Sequence, residues 1–223
     1  MSSDGSILAV GAWLNEEDKG DTENDNGSLR VFALDGGNWA QRGRTISGEM
    51  AKDKLGRVVS ISADGNIIAV STNEKIGDES NINKGSVKSF VYDDTSNDWT
   101  QLGSDIISSG ATDSAPTSLA MSSDGNILAI GGKDNDVESA GNGDNSGSVC
   151  VFKFNNGNWT QQGTVIYGEN NDKLGVALAM SSDGSILAVG AHHNDGTGTD
   201  AGHVRVIQWD SCATAAPSAV SYL

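Results

Sequence analysis

The chain has 223 residues, 36% hydrophobic, 5% aromatic and 20% charged, and its 30 acidic against 14 basic residues give a formal net charge of −16. A field of that sign repels phosphate backbones and anionic headgroups, which argues against nucleic acid as a partner, and no run of about 20 apolar residues offers itself for membrane insertion. Two cysteines, Cys150 and Cys212, exclude a disulfide framework or a cysteine-knuckle metal site, and 29 glycines predict many turns.

The first residues, Met1-Ser2-Ser3-Asp4-Gly5-Ser6-Ile7-Leu8-Ala9-Val10, open a phrase that returns around Asp64-Gly65, Asp124-Gly125 and Asp183-Gly184. The fullest copy places Val176-Ala177-Leu178-Ala179-Met180 before the Asp-Gly pair and Ile186-Leu187-Ala188-Val189-Gly190 after it. Two short apolar runs around Asp-Gly predict a hairpin, because a tight turn between strands demands positive φ. The runs are nearly continuous rather than alternating, so both faces of these strands are expected to be buried. Asp4, Gly5, Asp64, Gly65, Asp124, Gly125, Asp183 and Gly184 are therefore read as turn formers.

A polar loop follows each hairpin, and then a third strand: Gly27-Ser28-Leu29-Arg30-Val31-Phe32 and its counterparts starting at Gly85, Gly147 and Gly202. A further turn leads to a fourth strand opening on Trp39, Trp99 or Trp159. Each unit of about 60 residues reads as a four-stranded antiparallel meander, too thin to bury both faces alone. Stacking such sheets radially gives a β-propeller. The expected architecture is all-β, with about four blades bounded near 1–48, 49–110, 111–168 and 169–210, followed by a disordered tail or linker over 211–223. The first unit is expected to lack its inner strand and the last its outer one, leaving an open or incomplete propeller. Met1 aligns with the internal Met121 and Met180, which suggests an internal methionine of a longer, seven-bladed protein.

The repeat resembles the FG-GAP repeats that build the propeller of integrin α chains. Leu55-Gly56 and Leu174-Gly175 stand where that family has Phe-Gly, and Gly11-Ala12 and Gly190-Ala191 stand where it has Gly-Ala-Pro. The third copy departs from the pattern with Ala115-Pro116. Ser-x-Asp-Gly-x-x-Leu-Ala is also similar to WD40 repeats, although a closing Trp-Asp occurs only at Trp209-Asp210. The FG-GAP resemblance implies a calcium-binding Asp-x-Asp-x-Asp-Gly in the first hairpin. Here Ser2-Ser3, Ser62-Ala63, Ser122-Ser123 and Ser181-Ser182 precede the Asp-Gly pairs, leaving one carboxylate where six to eight oxygens are wanted. No cofactor is expected on this basis.

Acidity gathers in the loops between the second and third strands. Asp21, Glu23, Asp25, Asp134 and Asp136 are weak Ca²⁺ candidates; Trp13, Asp21, Asp25, Asp134, Asp136 and Asp195 are candidate binding residues on one rim. Trp39, Trp99 and Trp159 recur in register and are expected to pack between sheets. His192-His193 is expected to point in opposite directions along an extended segment, which would prevent both rings from binding one ion. Asn26 and Asn158 head N-glycosylation sequons.

No nucleophile elbow or Ser/His/Asp spacing appears, so no catalytic residue is assigned. The expectation is a non-enzymatic interaction module of a secreted or cell-surface protein with a role in adhesion, engaging a protein or glycan through rim loops. The alternatives are an intracellular WD40-like scaffold and a propeller glycosidase or lyase.

Overall fold

The computed structural model describes residues 1–15, 25–73, 85–107, 115–135, 145–196, 198–208 and 219–222. Among these there is no helix, and the strands form four antiparallel sheets, none closed into a barrel. The first sheet contains β1 (Ile7–Ala12), β2 (Ser28–Asp35), β3 (Asn38–Gln41) and β4 (Ile46–Ser47). The second contains β5 (Val59–Ile61), β6 (Ile67–Ser71), β7 (Ser86–Asp93), β8 (Asp98–Gln101) and β9 (Ile106–Ile107). The third is β10 (Ser118–Met121), β11 (Ile127–Gly132), β12 (Ser148–Asn155) and β13 (Asn158–Tyr167); the fourth is β14 (Leu174–Met180), β15 (Ile186–Ala191), β16 (His203–Gln208) and β17 (Ala219–Tyr222).

Local chemistry explains the hairpins. Gly5, Gly65, Gly125 and Gly184 all have φ between 74° and 77°, a conformation costly for any residue with a Cβ. The serine two places before each aspartate completes the turn. In the second copy the Ser62 hydroxyl donates to Asp64 Oδ1 at 2.6 Å while accepting the Ile67 amide at 2.9 Å, and the Asn66 amide donates to the same carboxylate at 3.0 Å. The same triangle recurs at Ser2, Ser122 and Ser181. Amide and hydroxyl donors hold Asp4 and Asp183 down at about 2, led by the Ser6 amide and the Ser181 hydroxyl respectively. At Asp64 and Asp124 burial pushes upward, but the serine hydroxyls and asparagine amides outweigh it and both stay below the ordinary value. Ser-x-Asp-Gly is thus a self-satisfied turn in which the hydroxyl does local work.

The sheets pack in chain order. Along the second strand of each unit, alternate residues face opposite neighbours: Ile7 and Ala9 join Leu29 and Val31 against Ile68 and Val70 of the next sheet. Ala69 and Val87 then meet Leu128 and Ile130, and Ala129, Val149 and Val151 meet Leu187 and Val189. Among the described residues no hydrophobic cluster joins the first sheet to the fourth. The result is a propeller-like all-β arrangement.

Two expectations need correction. The last unit does not end at three strands, because residues Ala219–Tyr222 of the tail expected to be a linker pair with β16 from Arg205↔Tyr222 to Gln208↔Ala219. Val and Tyr are good strand formers, and the open edge of β16 offers unpaired backbone groups to them. The tryptophans also divide. Trp99 is fully buried, donating from Nε1 to the Arg42 carbonyl of the preceding sheet at 2.8 Å, and Trp159 donates to Ser89 Oγ at 2.7 Å in the same way. Trp39 is 44% exposed, because no sheet lies beyond the first one to receive it among the described residues.

Candidate functional site

The inner strands supply no acid, base or nucleophile of ionisable type. Val59-Ser60-Ile61, Ser118-Leu119-Ala120-Met121 and Leu174–Met180 carry only apolar and hydroxyl side chains. Titratable groups collect instead where the loop entering β14 meets the turns leaving β11 and β15.

Asp172 is the anchor of that region and is almost fully buried. One carboxylate oxygen accepts the Glu169 amide at 3.0 Å and faces Arg205 Nη2 at 3.4 Å; the other accepts Asn194 Nδ2 at 2.9 Å. Its carbonyl receives the His193 amide at 3.3 Å. Arg205 also donates to the Tyr167 carbonyl at 2.9 Å and to His203 Nε2 at 3.0 Å. Burial and the neighbouring Arg205 keep His203 below the ordinary imidazole value. These bonds tie the loop carrying Lys173 to the turn carrying His192 and His193.

Around the anchor, Lys133 pairs with Asp134, and Lys173 Nζ lies 3.8 Å from the other oxygen of the same carboxylate. The two imidazoles lie edge to face with centroids 4.2 Å apart. This corrects the expectation that they diverge: β15 ends at Ala191, and the histidines occupy a turn in which alternation no longer applies. His193 Nδ1 is buried with no hydrogen-bond partner, and Asp200 Oδ1 stands 3.7 Å away. Partial burial, His193 and the charges of Lys173 and Lys133 lower the His192 pKa, against a smaller opposing effect of Asp200. His192 is exposed, its pKa is held below the ordinary imidazole value, and lysine ammonium groups are in electrostatic reach.

The equivalent junction between the first and second sheets has different chemistry. Asp53 repeats the anchor, accepting the Met50 amide at 2.7 Å. Trp13, 39% exposed, lies 5.6 Å from Lys54 Nζ and 6.0 Å from Arg57 Cζ.

Of the other residues singled out by sequence, Asp21, Glu23 and Asp136 lie outside the described residues. The Asp25 carbonyl accepts the Lys54 amide at 3.0 Å. Asp195 braces its own loop by accepting the Asp200 amide at 2.7 Å. Asn26 Oδ1 is buried without a partner, while Asn158 Oδ1 accepts the Ser104 amide at 3.2 Å. Among the described residues no three His, Cys, Asp or Glu side chains are grouped to hold a metal ion. Lys133, Lys173 and the Asp172 anchor were not anticipated. The recurrence of Asp53-Lys54-Leu55-Gly56 as Asp172-Lys173-Leu174-Gly175 was the available signal.

No protein-family model matches the chain, and no curated protein does. Among solved structures, the fold is similar to an inferred 6-phosphogluconolactonase from Bacteroides uniformis, with TM-score 0.59 and 15% identity over 100% of this chain and 56% of that one. A second inferred 6-phosphogluconolactonase, from Bacteroides fragilis, gives TM-score 0.57 and 11% identity over 100% and 56%. Kuenenia stuttgartiensis hydrazine synthase gives 0.52 and 14% over 100% and 47%. The chain therefore spans about half the length of these structures. At such identities the likeness shows the fold alone. It nonetheless corrects the expectation of a non-enzymatic adhesion module, since the lactonase likenesses are to proteins named for an enzymatic activity and carry no integrin or FG-GAP name.

Proposed function

We propose that the chain is the propeller part of a hydrolase acting on a cyclic ester, with the rim around His192 as its site. The observation that carries this reading is the edge-to-face pair of imidazoles within electrostatic reach of Lys133 and Lys173; the likeness to lactonases supplies the substrate class. A neutral His192 can take a proton from water as the water oxygen attacks the lactone carbonyl carbon. Lysine ammonium groups stabilise the oxyanion that forms. Collapse of the tetrahedral intermediate breaks the ring C–O bond, and the imidazolium returns its proton to the departing alkoxide, giving the open hydroxy acid. The same lysines suit a phosphorylated sugar lactone in a chain whose net charge otherwise repels anions.

The four sheets are read as successive blades of an open arc, a reading supported by three inter-sheet cores in chain order.

The test is hydrolysis of glucono-δ-lactone and its 6-phosphate followed in a pH-stat. Turnover is expected to rise with pH through a His192 pKa below the ordinary value, and His192→Gln is expected to lower kcat/KM about 100-fold. Rates equal to the uncatalysed reaction, or undiminished turnover in H192Q, overturn the reading.

A further inference from the structure

Every internal junction between sheets is built from the same two half-surfaces. The following half carries the glycine of the Asp-Gly turn, and the preceding half carries the isoleucine that opens its second strand. A Cβ at Gly65 would lie 2.6 Å from Ile7, one at Gly125 2.6 Å from Ile67, and one at Gly184 2.5 Å from Ile127. A row of backbone hydrogen bonds runs beside these contacts: the Ser3 amide donates to the Ala63 carbonyl at 2.9 Å, Ala63 to Ser123 at 2.9 Å, and Ser123 to Ser182 at 2.8 Å. The row stops with the Ser182 amide at one end and the Ser3 carbonyl at the other.

The two end sheets expose the two unmatched halves. On the first sheet a Cβ at Gly5 would meet nothing within 4 Å, and Val10 is 43% exposed, whereas its counterparts Val70, Ile130 and Val189 are buried. On the fourth sheet Ile186, the counterpart of Ile7, Ile67 and Ile127, is 43% exposed, and Val204, the counterpart of the buried Val87 and Val149, is 40% exposed. Each end lacks what the other presents.

We infer that a second copy of this chain docks head to tail, placing Ile186 of one copy against the Gly5 turn of the other and joining the Ser182 amide to the partner's Ser3 carbonyl. The occupant is argued from continuity with an interface that the chain already makes three times, with the same residue types in the same register. Two copies joined at both ends form a two-fold ring in which each contact is heterologous yet closes. Burial of the end faces also removes apolar surface that would otherwise favour open aggregation. The inference does not depend on the enzymatic reading.

The experiment is sedimentation velocity with light scattering on the full chain at about 1–100 µM, together with Ile186→Lys and Val10→Lys. Both substitutions are at exposed positions, and unchanged circular dichroism and melting of the dilute protein would show that the fold survives. Wild type is expected at twice the 23.0 kDa chain mass, and each variant alone at the chain mass. Mixing the two variants restores dimers, because one junction in the mixed pair retains an intact Ile186 face and an intact Val10 face. A wild-type monomer throughout this range overturns the inference. So does a mixture of variants that stays monomeric, which would indicate a different contact.

Discussion

Trp99→Phe tests whether the sheets are riveted to one another by specific bonds as well as by apolar contact. Trp99 is fully buried, meets Tyr92 edge to face at 5.1 Å and 62°, and donates from Nε1 to the Arg42 carbonyl of the first sheet. Phenylalanine keeps a ring in place but removes the donor. The cost of leaving the part-buried Arg42 carbonyl without this bond is about 1–3 kcal/mol, and the smaller ring adds about 1 kcal/mol of lost packing. W99F is therefore expected to lower the unfolding free energy by about 2–4 kcal/mol, a large share of the roughly 5–15 kcal/mol typical of a domain. Urea denaturation followed by far-ultraviolet circular dichroism reads this as a shift in midpoint at constant slope. A W99F midpoint within about 0.5 kcal/mol of wild type would refute the reasoning, since the cross-sheet bond would then contribute nothing net.

Three further outcomes follow from the same structure. Asp4, Asp64, Asp124 and Asp183 have folded pKa values below the unfolded value, so their stabilisation is complete above about pH 4 and is lost as pH falls through the folded values, which for Asp4 and Asp183 lie at about 2; melting temperature should fall less steeply on acidification below about pH 4 in Asp183→Asn. Gly125→Ala combines a left-handed φ of 75° with a contact 2.6 Å from Ile67 and is expected to cost about 2–5 kcal/mol, against about 1 kcal/mol for Gly36→Ala, which has positive φ but open space; equal losses in chemical denaturation would exclude the packing component. Asp172→Ala leaves the buried Arg205 without its carboxylate and should destabilise by about 3–5 kcal/mol, with Lys173 and the histidine turn released from their common anchor; a melting temperature unchanged from wild type would count against the anchor.

The sequence alone determined the all-β class, the hairpins and the order of strands within a unit. Those features follow from local rules: Asp-Gly permits positive φ, and apolar runs of strand length demand burial on both sides. What a residue contributes at long range was not legible. Trp39 and Trp99 occupy the same place in the repeat, yet one is exposed and the other buried, because only the second has a sheet before it. The edge-to-face approach of His192 and His193 is not legible in the sequence, because the end of β15 depends on its pairing with β16, which stops at Ala191↔His203. Lys133 and the adjacent Asp172-Lys173 are brought together from segments of the chain about 40 residues apart by packing of the third sheet on the fourth. The repeat encodes each sheet locally, while the cluster around His192 and the exposed faces of the first and fourth sheets arise only when sheets are set side by side.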